Sequence, residues 1–434
     1  MNNQKYLNIS LFIAQLIIIF LLVFKISSSL REFSDEIVSL SSNISFWFNG
    51  FDFSAGTSSQ YYSYSPKLTS GPLSAIGSSI AWKFTENLVF LRVSNFLYVY
   101  LVQLIFCYFL SKIYKFSLLK LIMICSFAIT SVPWWYGTLY SLGEMISSII
   151  FFNSIFLYPF YRKTSLVMIA FSIFFGKFIF VIGFIGFYFS VLIFEKISRK
   201  IIKDCFYFCI PLLIWLMLVS LYYDSSVLVY MSDFYSSYFE QKEKFGSLDF
   251  SYRNVIDSFI SSEVSTWNIS VLLRVLLSPL ILSFVLLKKN GLERKLKLHL
   301  FFAYFSIYLY FWILNPNKSV IYSQDFTYIT LVIALICLMF NYSELDSLTK
   351  IAVILIVSFY MSSNILFVMF LLIILGLFIK KFKKELLSYV VIAFLVISQF
   401  NSLFESRKNE NLDFQISECV ENFNSVICNS NGYK

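Results

Sequence analysis

Long apolar runs separated by short polar connections are the dominant pattern of the sequence. A helix needs about 20 apolar residues to cross the hydrocarbon core of a bilayer, so such runs predict membrane-spanning helices. We predict spans at roughly residues 7–24, 88–110, 117–133, 141–160, 165–176, 178–194, 205–223, 270–287, 298–314, 326–341, 351–361, 364–379 and 386–399. The runs at 165–176 and 351–361 are short and are candidates for re-entrant segments. The pattern predicts an all-α polytopic membrane protein with about 11–13 transmembrane helices.

The composition also favours lipid as the main solvent. Hydrophobic residues make up 58% of the 434 residues and charged residues 14%, whereas soluble chains carry about 25% charged residues. The mean hydropathy is +0.75. The sequence has one histidine, no cysteines at metal-ligand spacing and no glycine-rich phosphate loop. These features argue against a metalloenzyme or a nucleotide-dependent enzyme.

The net charge of +9 follows from the membrane topology and does not require nucleic-acid binding. If Met1 is cytoplasmic, alternate connections are rich in lysine and arginine, as at 196–203 and 288–297, while most acids lie in the other connections. The positive-inside rule therefore predicts a cytoplasmic N-terminus, followed by an uncleaved first span. We expect a bacterial inner membrane with the active face in the periplasm.

Three longer polar stretches fall on the non-cytoplasmic side of this topology, at 25–87, 224–268 and 401–434. We predict that the first stretch is the catalytic loop of a transmembrane module at 1–195, and that the second belongs to a variable module at 196–400. The third is a C-terminal tail. Its Cys419 and Cys428 either form a disulfide in an oxidising compartment or remain free thiols.

A juxtamembrane helix is predicted in the first external loop. Leu40 and Ile44 recur at helical spacing after Ser34, a residue type suited to an N-cap, so we expect an amphipathic helix on the outer interface. Asp35 and Glu36 then fall in its first turn, where the helix dipole favours negative charge. Ordinary helix capping and a functional role both account for these two acids.

A proline-containing strip at 65–73 follows in the same loop. Pro66 and Pro72 impose a bent, extended path on the chain between them. Irregular backbone beside a membrane usually lines a cavity, because its polar groups cannot face lipid unsatisfied. Lys67, inside this strip, is a candidate contact for the acceptor or a sugar.

Isolated charges within apolar runs indicate a functional site. Glu144 lies at the predicted outer start of one span, and Lys177 lies at an outer turn, where it either binds an anion or extends its ammonium group to the interface. Trp134 and Tyr140, together with Glu144, are candidate contacts for an acceptor or a sugar ring. Carboxylates, cations and aromatic rings on one outer surface suit group transfer from an anionic, lipid-linked donor. We assign no metal site, although an acidic pair could hold Mg²⁺ or Mn²⁺.

At these residues the sequence resembles the GT-C superfamily of integral-membrane glycosyltransferases, which use polyprenyl- or dolichyl-phosphate sugars. The resemblance covers roughly residues 1–195. Its motifs are Asp35-Glu36 after the first span, Phe90-Leu91-Arg92-Val93-Ser94-Asn95, Tyr140-Ser141-Leu142-Gly143-Glu144 and Phe175-Gly176-Lys177. The strip Pro66-Lys67-Leu68-Thr69-Ser70-Gly71-Pro72 is similar to the Pro-Lys-Ile-Thr-Thr-Pro-Pro run of the dolichyl-phosphate-glucose-dependent glucosyltransferases of the endoplasmic reticulum.

The resemblance implies a GT-C-like fold and an inverting sugar transfer on the non-cytoplasmic face. It implies that Asp35 is the general base with Glu36 in support, and that Lys177 and Arg92 bind the donor phosphate. The implied partners are a polyprenyl-phosphate sugar, a lipid, glycan or protein acceptor, and membrane lipids. One departure is at 324–328, where the sequence reads Gln-Asp-Phe-Thr-Tyr and many family members carry an Arg-Tyr pair.

Two alternative functions remain open on the sequence. An O-antigen or capsule polymerase also has about a dozen spans and a large external loop, which 224–268 would provide, although a more basic loop is expected there. A lipid-linked oligosaccharide flippase or transporter is expected to carry charges within many spans and to have two related halves. The spans of this sequence are nearly free of charge, and it has no detectable repeat.

Overall fold

The computed structural model of the chain describes its N-terminal half and one further helix. The described residues are 2–29, 34–48, 54–57, 60–63, 71–115, 117–129, 138–139, 141–195, 199–223, 283 and 293–310. They are almost entirely helical, as the hydrophobic pattern predicts. The loop at 224–268, the predicted span at 270–287 except residue 283, the predicted spans from 326 onward, and the tail with Cys419 and Cys428 lie outside the described residues.

The described helices overlap the predicted spans at 7–24, 88–110, 141–160, 165–176, 178–194 and 205–223, and the described parts of those at 117–133 and 298–314. The helices are α1 (Asn2–Ser29), α2 (Ser34–Phe48), α3 (Ile76–Trp82), α4 (Leu88–Tyr114), α5 (Leu118–Ile129), α6 (Glu144–Leu157), α7 (Arg162–Phe171), α8 (Phe180–Phe194), α9 (Arg199–Tyr223) and α10 (Arg294–Leu309). A short π-helical segment, Ser172–Gly176, continues α7. Helix α4, with 27 residues, and the stretch Lys200–Leu221 of α9 are each long and apolar enough to cross a membrane.

One short β-hairpin interrupts the helical pattern. Strands β1 (Ser54–Thr57) and β2 (Gln60–Ser63) pair antiparallel, with Ser54 opposite Ser63 and Thr57 opposite Gln60. Strand β1 packs against α2. The sequence does not predict these two strands, because the serine- and tyrosine-rich segments show no alternation of apolar and polar residues.

The described residues belong to two compact units. One unit takes residues 2–26, 103–129 and 293–310, and the other takes 27–102 and 138–223, so α1 and α4 contribute to both. The predicted module boundary at 195 falls within the second unit. Every candidate site residue that the structure describes also belongs to that second unit.

Helix α2 forms where the sequence predicts it, but it does not lie on an interface with one face exposed, because all its residues from Ser39 to Phe46 are buried. Leu40 and Ile44 are buried in a small apolar cluster with Ala75, Leu88 and Leu91. This cluster joins α2 to the segment before α3 and to the first turn of α4. The apolar face of α2 is thus covered by protein at its centre.

A close backbone contact holds α3 against α4. Gly77 has no side chain, and a β-carbon built on it would lie 2.3 Å from the carbonyl oxygen of Ser94 and 2.7 Å from the Cα of Asn95. Both neighbours are backbone atoms, which cannot rotate away as a side chain can. The two helices can approach this closely only with glycine at position 77.

Gly77→Ala is expected to lower the free energy of unfolding by about 1–3 kcal/mol, because the added methyl group forces α3 away from α4. Thermal unfolding of the purified protein in detergent measures the loss. Ser79→Ala in the same helix is the matched control, since the buried Ser79 hydroxyl has no hydrogen-bond partner within the described structure. Equal melting temperatures for Gly77→Ala and wild type would contradict the close contact.

A cluster of charges ties together the ends of three helices. The Arg162 guanidinium, at the start of α7, donates from Nε to Asp204 Oδ1 at 2.8 Å and from Nη1 to Glu195 Oε2 at 2.7 Å. It also lies 5.2 Å from the centre of the Tyr158 ring. The hydrogen bonds that Arg162 donates to the Asp204 carboxylate are the main reason that the pKa of Arg162 rises above its usual range. Arg162 therefore stays charged and joins α7 to the end of α8 and to α9.

Candidate functional site

The structure brings four of the predicted site residues into two buried ion pairs. Glu36 pairs with Arg92, and Glu144 pairs with Lys177. All four side chains are at least nine-tenths buried. Buried charges are costly unless they are paired and hydrogen-bonded, so the two pairs account for the isolated charges that the sequence shows in apolar surroundings.

The Glu36–Arg92 pair is a two-pronged salt bridge between α2 and α4. Arg92 Nε and Nη2 each donate to one carboxylate oxygen of Glu36, and both distances are 2.7 Å. Arg92 Nη1 donates to the backbone carbonyl of Ser27 at 2.9 Å. Two parallel hydrogen bonds of this kind strengthen the ion pair and also fix the relative orientation of the two side chains. Arg92 therefore fastens the first turn of α2 to α4 and to the end of α1.

Arg92→Met is expected to lower the free energy of unfolding by about 3–5 kcal/mol, because it leaves the Glu36 carboxylate buried without its cation. Thermal unfolding in detergent measures the effect. The control in the same helix is Lys112→Met, which removes an exposed cation and should change stability by no more than about 0.5 kcal/mol.

The double variant Glu36→Leu/Arg92→Met tests the cause of that loss. Replacing both charges with apolar side chains removes the unpaired carboxylate, so it should restore most of the lost stability. A double variant that unfolds as early as Arg92→Met would show that the lost packing of Arg92, and not its charge, was responsible.

The Glu144–Lys177 pair joins the first turn of α6 to the residue after the π-helical segment. Lys177 Nζ lies 2.5 Å from Glu144 Oε1 and donates to the backbone carbonyl of Leu142 at 3.0 Å. The chain turns sharply into α6, with Ser141 at φ 57° and Gly143 at φ 86°. A serine in this left-handed region is uncommon and costs about 1–2 kcal/mol, so the surrounding contacts must hold the turn in place.

Polar groups without partners lie next to this second pair. Glu144 Oε2 and the hydroxyl groups of Ser147 and Ser148 are buried and have no hydrogen-bond partner among the described residues. Residues 144, 147 and 148 lie on one face of α6, because side chains three and four positions apart are neighbours on a helix. Buried polar groups are seldom left unsatisfied, so this face of α6 has the chemistry to receive a polar ligand or water.

A layer of hydrogen bonds connects α2 to the turn before α6. The Ser39 hydroxyl donates to the carbonyl of Ser141 at 2.6 Å and lies 3.2 Å from the Ser74 hydroxyl. Asn43 donates to the Ser39 carbonyl at 2.7 Å and to the Ser74 hydroxyl at 2.8 Å. Asn95 of α4 donates to the Ser74 carbonyl at 3.1 Å. These contacts join α2, which carries Glu36, to α4 and to the turn that leads into Glu144.

The end of the proline-containing strip is anchored to the segment that carries Lys177. The amide of Gly71 donates to the Gly176 carbonyl at 2.6 Å, and the amide of Leu73 donates to the Phe175 carbonyl at 2.9 Å. A β-carbon on Gly71 would lie 2.3 Å from the Phe175 carbonyl oxygen. The strip and the Phe175-Gly176-Lys177 motif, which are far apart in sequence, therefore meet through their backbones.

The structure does not describe the side chains of several predicted site residues. The backbone of Asp35 occupies the second position of α2, directly before Glu36, but its side chain lies outside the described part of the structure. The other predicted site residues outside the described residues are Lys67, Trp134 and Tyr140. Their assigned roles stay predictions.

Three residues that were not predicted as site residues form hydrogen bonds of the layer between α2, α4 and the turn before α6. They are Ser39, Asn43 and Asn95. A usable signal was present in α2, because Glu36, Ser39 and Asn43 recur at intervals of three and four residues and form a polar stripe on one helix face. No comparable signal marked Asn95, which follows Arg92 and Ser94 in a mostly apolar helix without forming a polar stripe with other residues of the layer.

Among the described residues, no three histidine, cysteine, aspartate or glutamate side chains lie close enough together to hold a metal ion. Both carboxylate oxygens of Glu36 accept hydrogen bonds from Arg92, so this carboxylate is already occupied.

No protein-family model, curated protein or solved structure matches this chain. The geometry of the site is therefore the basis for assigning a function. Its main elements are two buried ion pairs, the hydrogen-bonded layer between α2, α4 and the turn before α6, and the unsatisfied polar face of α6.

Proposed function

We propose that the protein is a membrane glycosyltransferase that moves a sugar from a polyprenyl-phosphate donor to a lipid, glycan or protein acceptor. The observation that carries the proposal is that four of the predicted site residues form two buried ion pairs, Glu36–Arg92 and Glu144–Lys177, on elements that the Ser39–Ser141 hydrogen bond joins. Glu36, Arg92, Glu144 and Lys177 each belong to one of the motifs on which the resemblance to GT-C enzymes rests, and the ion pairs bring them together two by two although they are far apart in the sequence.

In this proposal Asp35 is the general base and the neighbouring ion pair fixes its position. A base must lie within hydrogen-bond reach of the acceptor hydroxyl, so the helix that carries it has to be held firmly. Glu36 and Arg92 hold the first turn of α2 through two 2.7 Å hydrogen bonds. We therefore propose a positioning role for this pair, in place of direct phosphate binding by Arg92.

The donor phosphate is proposed to bind at Lys177. An ammonium group binds phosphate as a point charge, and the phosphate would compete with Glu144 for it. The unsatisfied Glu144 Oε2 and the hydroxyl groups of Ser147 and Ser148 would then be available to hydroxyl groups of the donor sugar. Trp134 and Tyr140 keep their proposed role as contacts for a sugar ring.

We also propose that the chain is polytopic, with a GT-C-like module and a cytoplasmic N-terminus. The support is the apolar character of the described helices, of which α4 and the stretch Lys200–Leu221 are long enough to span a bilayer. The proposed active face is periplasmic, since the first external loop carries Asp35.

The test is donor turnover by the purified, full-length protein. The protein is incubated with a panel of radiolabelled undecaprenyl-phosphate monosaccharides and a crude lipid-acceptor extract. Label that moves to an acceptor supports the proposal and identifies the sugar. If no monosaccharide donor reacts but chains grow on undecaprenyl-pyrophosphate oligosaccharides, the protein is a polymerase and the proposal is wrong.

A further inference from the structure

An exposed apolar patch lies where α2 and α3 end. Trp47 and Phe48 are the last two residues of α2, Ile80 lies in the last turn of α3, and Phe84 lies two residues after the end of α3. Phe84 is 86% exposed, Ile80 57% and Trp47 42%, although these are among the most hydrophobic side chains of a protein. Lys83 belongs to the same patch, because its ammonium group lies 4.1 Å from the centre of the Phe48 ring.

The patch has a fixed geometry. The indole nitrogen of Trp47 donates to the backbone carbonyl of Pro72 at 2.8 Å, which fixes the orientation of the ring. The amide of Phe84 donates to the Ala81 carbonyl at 2.9 Å, so the turn after α3 is closed by its own backbone. The Trp47 ring, held in this way, loses little conformational entropy when a partner covers it.

A second exposed apolar surface follows the patch along the chain, on α4. Phe90, Leu97 and Leu101 are each more than half exposed and follow one another at intervals of seven and four residues, which is the spacing of a single helix face. Helix α4 is apolar enough to cross a bilayer and begins only four residues after Phe84. The partner that covers this face of α4 should therefore also cover the patch.

We propose that this patch, formed by Trp47, Phe48, Ile80, Lys83 and Phe84, is a membrane-interface anchor that binds an anionic phospholipid. Tryptophan is enriched at the level of the lipid headgroups, and a lysine there extends its charge to the phosphates. The aromatic rings lie among the upper acyl chains and Lys83 binds the headgroup. The anchor sets the depth of α2 in the membrane, and it does not depend on the proposed chemistry.

The test uses the full-length protein in nanodiscs of phosphatidylcholine and phosphatidylglycerol. The photoreactive analogue p-benzoylphenylalanine is placed at Phe84, at Phe90 as the lipid-facing reference, and at the exposed Glu86 as the polar control. After illumination, mass spectrometry should find phospholipid adducts at positions 84 and 90 and far fewer at 86. Adducts to protein at position 84, or none there while position 90 reacts, would overturn the proposal.

The headgroup preference is tested separately with Lys83→Gln. A lysine near an anionic surface changes lipid binding by about fivefold, so this variant should lower the ratio of phosphatidylglycerol to phosphatidylcholine adducts at position 84 by about that factor. An unchanged ratio would overturn the role of Lys83. Both the positions of the adducts and their headgroup ratio are measured without sugar transfer, so they remain interpretable if the proposed function is wrong.

Discussion

Asp35→Asn is expected to abolish sugar transfer while leaving the stability of the protein unchanged. An amide cannot accept the proton of an acceptor hydroxyl, and proton transfer by a positioned base contributes at least about 100-fold to the rate. Asparagine has nearly the same shape as aspartate and is equally favoured at the start of a helix, so α2 should form normally. The measurement is label transfer from the reactive donor, with thermal unfolding of the same preparation.

The neighbouring acid provides a sharp comparison. Glu36→Gln removes the charge that Arg92 meets at 2.7 Å, so this variant should lose stability as well as activity. Glu86→Gln, an exposed acid on the turn before α4, is the control and should change neither property. Normal turnover by Asp35→Asn would exclude Asp35 as the base. A loss of stability in Asp35→Asn equal to that in Glu36→Gln would give Asp35 a structural role instead.

The sequence was sufficient to identify the charged residues of the site, but not to predict which of them pair with each other. Glu36, Arg92, Glu144 and Lys177 are recognisable because each ionisable group stands in or beside an apolar run, where an unpaired charge is costly. Which acid meets which base depends on the packing of the helices, and Glu36 and Arg92 are 56 residues apart. For this reason two cations predicted to meet a donor phosphate were found next to carboxylates.

Secondary structure was predictable where the hydrophobic period is clear. Helix α2 and the apolar helices follow from it. The π-helical segment Ser172–Gly176 and the hairpin Ser54–Ser63 do not, because no local pattern distinguishes them from neighbouring segments. Both features bear on the site: the hairpin packs against α2, and the π-helical segment accepts the hydrogen bonds of the strip from Gly71 to Leu73.

The two ion pairs differ in how readily each could exchange its partner. Arg92 uses three nitrogen atoms on Glu36 and Ser27, so binding a substrate there would break several aligned bonds at once. Glu144 has one oxygen next to Lys177 and another without a described partner. A phosphate can therefore bind at Lys177 with less disruption of the fold than binding at Arg92 would cause.

Opposite effects on donor affinity are expected from Lys177→Met and Glu144→Gln. Lys177→Met removes the proposed phosphate ligand and should raise the donor KM about 10- to 100-fold, the range for one hydrogen bond to a charged group. Glu144→Gln removes the group that competes with the phosphate and should lower the donor KM. The measurement is initial transfer rate against donor concentration, and Lys177→Arg serves as the charge-preserving control.

Measurements of stability distinguish two roles of the Glu144–Lys177 pair: exchange of Glu144 for the donor phosphate at Lys177, and a purely structural ion pair. Each single variant leaves one buried partner without its counter-charge, and Lys177→Met, which isolates the carboxylate, should cost about 3–5 kcal/mol. A structural pair predicts that both variants lose activity in proportion to their loss of stability. The exchange predicts that Glu144→Gln binds the donor more tightly although it is less stable than wild type, because substrate then supplies the negative charge that Lys177 has lost. Equal increases in donor KM for the two variants would contradict phosphate binding at Lys177.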